Sequence, residues 1–187
     1  MSILGYDTHG GQPDALDWRN LQLTKAQAAG NGEVNTLRVR TLKYTGSADW
    51  LGVVGIYNAS TMAPIANSYD SGALVQITNT SYHWLTYTYT GTLPVIVKDT
   101  WYYIGVAPLG GNGVPMMTRY DTDTGMGGRC FRSDGDFNEV IDIVGGTEDR
   151  KHSIYVDYTP TAPSLEIEGI TPGAIELVDW TNVIDVY

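Results

Sequence analysis

Thr100-Trp-Tyr-Tyr-Ile-Gly-Val-Ala107 reads as a strand buried on both faces. Its eight residues carry three aromatics, three β-branched side chains and no charge. Branched and aromatic side chains lose rotamer freedom against a helical turn and pack well on a pleated surface. A short apolar run of this kind is expected to be the most deeply buried strand of the fold, with Trp101 as a core residue.

Working outward, the same logic holds in a half-buried form. Trp84-Leu-Thr-Tyr-Thr-Tyr-Thr90 alternates strictly, with Trp84, Thr86, Thr88 and Thr90 opposite Leu85, Tyr87 and Tyr89. Residues 34–44 put Leu37, Val39, Thr41 and Lys43 on one face and Arg38, Arg40, Leu42 and Tyr44 on the other. Residues 19–28 alternate through Leu21, Leu23 and Lys25, and Leu51-Gly-Val-Val-Gly-Ile-Tyr57 is a second buried run. Further strands are expected near residues 73–78, 93–97, 116–120, 129–132 and 152–159. Residues 60–70 are expected to form a looped excursion, and residues 1–16 an irregular lead-in rich in Gly, Asp and Pro.

The composition agrees, with thirteen Tyr, five Trp and twenty-two Gly in 187 residues. Helix-forming runs are scarce, and no internal repeat or alternation of strand and helix is present. Strands separated by turns every ~8–12 residues predict an all-β protein, a jelly-roll-like antiparallel β-sandwich. Residues 1–159 would form that domain. Pro160 and Pro163 mark a boundary, beyond which residues 160–187 form a strand-like C-terminal extension too short to bury a core alone.

The order of these segments resembles a jelly-roll β-sandwich family that recurs in phage structural proteins and bacterial surface proteins. The resemblance is carried by Gly5-Tyr6, Asn20-Leu-Gln-Leu-Thr-Lys-Ala26, Val34-Asn-Thr-Leu-Arg-Val39 and Val53-Val-Gly-Ile-Tyr57-Asn58. It continues through Thr100–Ala107 and closes with Lys151-His-Ser-Ile-Tyr-Val-Asp-Tyr158. It covers residues 4–159 and implies a non-enzymatic sandwich used for surface display, assembly or glycan contact. The resulting expectation is a virion structural protein, such as a capsid decoration or tail-associated subunit of a phage. The alternative is a carbohydrate-binding module of a surface or secreted protein.

Charge narrows the partners. A net charge of −10 supplies no basic footprint for nucleic acid and disfavours an anionic membrane surface. Met1-Ser-Ile-Leu-Gly-Tyr-Asp7 lacks the basic and apolar regions of a signal peptide, so synthesis in a host cytoplasm and residence in a virion are expected. Self-association or contact with other virion proteins is the expected interaction, with a glycan as a further candidate ligand. The extension is expected to dock on its own or a neighbouring subunit through Ile175, Leu177, Trp180, Val183 and Tyr187, by adding a strand to a sheet edge.

Chemistry-bearing patterns are sparse. His9, His83 and His152 are isolated, and neither a His-x-x-x-His pair nor a Gly-x-Ser-x-Gly elbow occurs. No enzyme is expected. Asp121-Thr-Asp123-Thr-Gly125 resembles the start of a calcium loop, and Ser133-Asp-Gly-Asp136 is a second acidic loop. Asp121, Asp123, Asp134 and Asp136 are therefore the candidate ligands of a structural calcium, against a reading as solvated acidic turns. No other cofactor is expected. Sugar rings stack on flat aromatic faces, which singles out Trp50, at a loop end, and Trp84, on a Thr-rich face, as glycan candidates. Packing at the sheet rim is the competing role for both.

Overall fold

A computed structural model describes residues 1–16, 20–43, 51–70, 80–109, 116–125, 127–131 and 147–161. The described residues contain thirteen strands and no helix. In chain order these are β1 (Ser2–Gly5), β2 (Gln12–Leu16), β3 (Asn20–Gln27), β4 (Gly32–Lys43), β5 (Leu51–Asn58), β6 (His83–Thr88) and β7 (Val95–Ile96). They continue with β8 (Trp101–Leu109), β9 (Met116–Asp121), β10 (Gly127–Phe131), β11 (Thr147–Glu148), β12 (Lys151–His152) and β13 (Ile154–Pro160).

Two antiparallel sheets result. The eight-stranded sheet runs β1-β13-β4-β9-β12, with β2 added to β9, and β6 and β7 added to β4. The five-stranded sheet runs β11-β10-β3-β8-β5. The twelve-residue β4 is the spine of the first sheet. One edge pairs with β13 and then β9, the other with β7 and then β6.

The two sheets share one core. Leu4, Val34, Leu37, Val39, Ile154 and Val156 from the first meet Val54, Ile56, Tyr102, Ile104 and Val106 from the second. Each such side chain contributes about 1.5–3 kcal/mol when fully buried. The architecture is therefore a β-sandwich of two packed layers.

The five-stranded sheet is apolar on its other face as well. Leu21, Leu23, Val53, Tyr57, Tyr103 and Ala107 form a second buried cluster there, joined by Ala59, Met62 and Tyr69. Two glycines make room for it. Gly55 and Gly105 are cross-strand partners, and a Cβ on Gly105 would stand 2.7 Å from Leu23 Cδ2. A Cβ on Gly55 would stand 2.8 Å from the Tyr57 ring. Larger residues would push these side chains off the sheet.

The free edge of β5 is covered by the chain that follows it. Val54 and Asp70 exchange backbone hydrogen bonds at 3.2 and 3.1 Å, and the Ile65 N–H donates to Ile56 O at 2.9 Å. Ser68, fully buried, places Oγ 2.8 Å from the carbonyl oxygens of both Ile56 and Ile65. Tyr89 and Tyr87 of the opposite sheet's side donate to Ser68 O at 3.0 Å and Asp70 Oδ2 at 2.7 Å. This excursion thus ties the two layers together and hides an edge that would otherwise invite strand addition.

Two expectations change. Residues 1–16 are not an irregular lead-in, because they supply β1, on β13, and β2, on β9. Both tolerate their composition because they lie at edges, where Pro13 loses no necessary ladder bond. Trp101 is not a core residue: it opens β8 with 40% of its surface exposed, whereas residues 102–108 are all buried. The last described strand, β13, ends at Pro160, and the Thr161 N–H donates to Asn31 O at 2.9 Å. The strand expected at 73–78 lies outside the described residues.

Candidate functional site

The outward face of the eight-stranded sheet gathers aromatic rings and cations. Alternation along β4 buries Leu37, Val39 and Thr41 and leaves Thr36, Arg38 and Arg40 pointing out. Register sets Trp84 of β6 beside Arg40, and Tyr155 of β13 beside Arg38. The Arg40 guanidinium lies 6.0 Å from the Trp84 ring centroid, and that of Arg38 lies 5.9 Å from the Tyr155 centroid. The two rings meet edge to face at 5.1 Å and 73°. Asp157 anchors one end, accepting from Thr36 Oγ1 at 2.8 Å and pairing with Arg38 Nε at 3.1 Å.

The array continues across the sheet. Ser153, between β12 and β13, accepts from the Arg40 N–H at 2.9 Å and donates to Arg119 O at 2.8 Å. Arg40 and Arg119 are therefore two strand spacings apart, roughly 10 Å. Arg119 stacks 4.2 Å from the Tyr82 centroid, and His9 meets the same ring at 6.4 Å. Lys151 lies 4.6 Å from the Tyr6 centroid. Arg38, Arg40, Arg119 and Lys151 are four of eleven basic residues in a chain of net charge −10. Of these, Arg38 and Lys151 pair with carboxylates, while Arg40 and Arg119 make no ion pair among the described residues. The face is thus locally cationic on an acidic protein.

Next to it lies the acidic turn. Asp121 Oδ1 accepts from the Gly11 N–H at 2.7 Å, and Oδ2 accepts from the Tyr6 hydroxyl. The Gly11 bond, then the Tyr6 bond, holds the Asp121 carboxyl below its usual range. Burial, then the Asp121 bond, pushes the Tyr6 phenol up. Asp123 Oδ2 stands 3.5 Å from Lys151 Nζ, and the Gly125 N–H donates to Asp149 Oδ1 at 3.3 Å. Asp121 thus tethers the N-terminal segment to the sheet. Among the described residues no group of three or more His, Cys, Asp or Glu comes together to hold a metal ion. Asp134 and Asp136 lie outside the described residues, as do Trp50 and the extension residues Ile175, Leu177, Trp180, Val183 and Tyr187.

Between the layers sits a polar network that the sequence reading missed. Gln22 Nε2 donates to Asp14 Oδ2 at 2.7 Å and its Oε1 accepts from Thr118 Oγ1 at 2.5 Å. Arg150 bonds the same Asp14 oxygen at 3.0 Å, and His152 Nε2 lies 4.0 Å from it. Thr24 Oγ1 donates to His152 O at 2.6 Å. Gln22, Thr24, Thr118 and His152 are all fully buried, so the network fixes β2, β9 and β12 against β3, with half-exposed Arg150 at its solvent side. Its only trace in the sequence is the alternation of Gln22 and Thr24 with Leu21 and Leu23.

At the far end of the five-stranded sheet, Trp101 is presented on a rigid mount. Its strand pairs with β3 at Gln27, and its carbonyl accepts from the Ala59 N–H at 2.9 Å. The turn before it is held by the Asp99 N–H on Ala28 O at 2.8 Å, with Asp99 at φ 62°, a conformation that Asp tolerates. Lys25 Nζ stands 5.3 Å from the Trp101 centroid and 5.7 Å from that of Tyr103. Trp84, by contrast, is half-buried. No protein-family model matches this sequence, and no curated protein matches it either.

Proposed function

We propose that the protein is a non-enzymatic virion structural subunit, a capsid decoration or tail-associated protein of jelly-roll form, that docks through the outward face of its eight-stranded sheet. The observation that carries this reading is the array of Trp84, Tyr155, Arg38, Arg40, Tyr82 and Arg119 on one sheet face. Trp, Tyr and Arg are the residues in which interface binding energy concentrates. Guanidinium groups already stacked on rings lose little further freedom on binding.

Charge points to the partner. Arg40 and Arg119 suit a carboxylate-rich surface, and a chain of net charge −10 offers such surfaces on each neighbouring copy. The jelly-roll form is supported by strand neighbours distant in sequence, such as β4 with β13 and β1 with β13. Residues 160–187 are the second proposed contact, by strand addition to a neighbour. No nucleic acid, membrane or catalytic role belongs to this reading.

Light scattering on the full chain tests it. A discrete oligomer is expected that shrinks as salt rises and falls to a monomer in Arg40→Glu/Arg119→Glu. A monomer at every concentration, or an oligomer unmoved by the double substitution, would reject docking between copies through this face.

A further inference from the structure

From residue 102 to residue 108 the side chains of β8 are buried, yet Trp101 remains 40% exposed. Beside it lies an open depression of about 320 Å³, lined by Lys25, Ala59, Ser60, Thr100 and Trp101. Its walls are set by local bonding. Asn58 Oδ1 accepts from the Ser60 N–H at 2.9 Å and from Ser60 Oγ at 2.6 Å, and the Met62 N–H donates to Asn58 O at 2.8 Å. Met62 is held at φ 62° within that turn. Lys25 lines the depression with its ammonium 5.3 Å from the Trp101 ring centroid, and it makes no ion pair among the described residues.

A rigid aromatic plate, two hydroxyls and one ammonium around a small open hollow match the surface of a sugar ring. The C–H face of a pyranose is apolar, and its rim carries hydroxyls that need both donors and acceptors. We propose that this depression is a carbohydrate subsite that takes one pyranose residue, stacked on Trp101 and hydrogen-bonded by Ser60, Thr100 and Lys25. The backbone that carries the plate is fixed by its pairing with β3 and by the Ala59 bond. The hollow is shallow, so the natural ligand is a sugar within a longer glycan rather than an enclosed monosaccharide. The site does not rest on the docking face, which lies on the other sheet, so either assignment can fail alone.

Affinity electrophoresis of the full chain provides the test, in native gels cast with soluble starch, a mixed-linkage β-glucan, xylan or polygalacturonate. At least one polysaccharide is expected to retard the protein. Trp101→Ala should weaken the apparent affinity by about tenfold or more, and Trp101→Phe by less. Lys25→Met separates the ligand types: it should abolish retardation by polygalacturonate, whose carboxylates would face the ammonium, and only weaken that by a neutral polymer. Circular dichroism melts check that each variant folds, and if Trp101→Ala does not, Trp101→Phe and Lys25→Met carry the comparison. No retardation in any of the four gels, or equal retardation of Trp101 variants and wild type, would overturn the proposal.

Discussion

Trp84 and Trp101 each stand near a cation, Arg40 at 6.0 Å and Lys25 at 5.3 Å, but the two regions use that contact differently. Trp84 is one link in a brace across three strands. Its ring meets Tyr155, Tyr155 carries Arg38, and Arg38 pairs with Asp157, which also accepts from Thr36. Trp101 has no described ring stacked on it and opens onto a hollow. One indole holds the sheet together, and the other is offered to solvent from a sheet already held.

That contrast is open to measurement. Trp84→Ala is expected to cost about 1.5–3 kcal/mol in urea unfolding, below the ~3–5 of a fully buried aromatic because Trp84 is half-buried. Trp101→Ala should cost less than about 1 kcal/mol, since it leaves no enclosed cavity and mainly removes strand propensity and a surface cation contact. Equal losses at the two positions would break the distinction.

A smaller effect sharpens it. Asp157 is 7% exposed and anchors the brace. Asp157→Asn keeps an acceptor for Thr36 but weakens the grip on Arg38, whose side chain is 39% exposed and partly screened by water. A loss of about 1 kcal/mol is expected. In a double-mutant cycle with Arg38→Met, a coupling of ~0.5 kcal/mol or more indicates a brace, and simple additivity would show that the two residues act separately.

Much of this architecture was legible from alternation alone. Leu37, Val39 and Thr41 are buried and Arg38 and Arg40 outward, as period-two reading requires, and the run to Ala107 is buried from Tyr102 onward. Long-range pairing was not legible. β1 pairs Ser2 with Tyr158, and only Leu4 within it is buried, so nothing local marks it as a strand. Trp101 was misread because composition describes a whole strand, whereas burial depends on where the strand enters the sandwich. The aromatic–cation array needs four strands to assemble, and the Asp14–Gln22–Thr118 network joins residues 96 positions apart. Spacing within one segment carries no signal for either.

The weakest of the expected effects concerns the segment that crosses beside the array. Asp121 binds Gly11 and Tyr6 as a carboxylate, and its folded pKa lies below the ordinary value. The stability it contributes is therefore fully present above the ordinary carboxyl pKa and lost as pH falls through that value and then the lowered folded one. Tyr6 works in the opposite sense: its folded pKa is raised, so its contribution is present below the ordinary phenol value and lost as pH rises through the higher one. The Asp121 carboxylate lies near the surface, which keeps the effect small. Asp121→Asn should flatten the acid limb of a stability–pH profile while leaving the profile above pH ~6 parallel to that of wild type. If release of the tether also frees His9 from Tyr82, the Arg119 stack should loosen with it, and self-association of the full chain should weaken at acid pH in wild type only. An acid limb equally steep in Asp121→Asn would place that pH dependence elsewhere and leave the segment held by β1 and β2 alone.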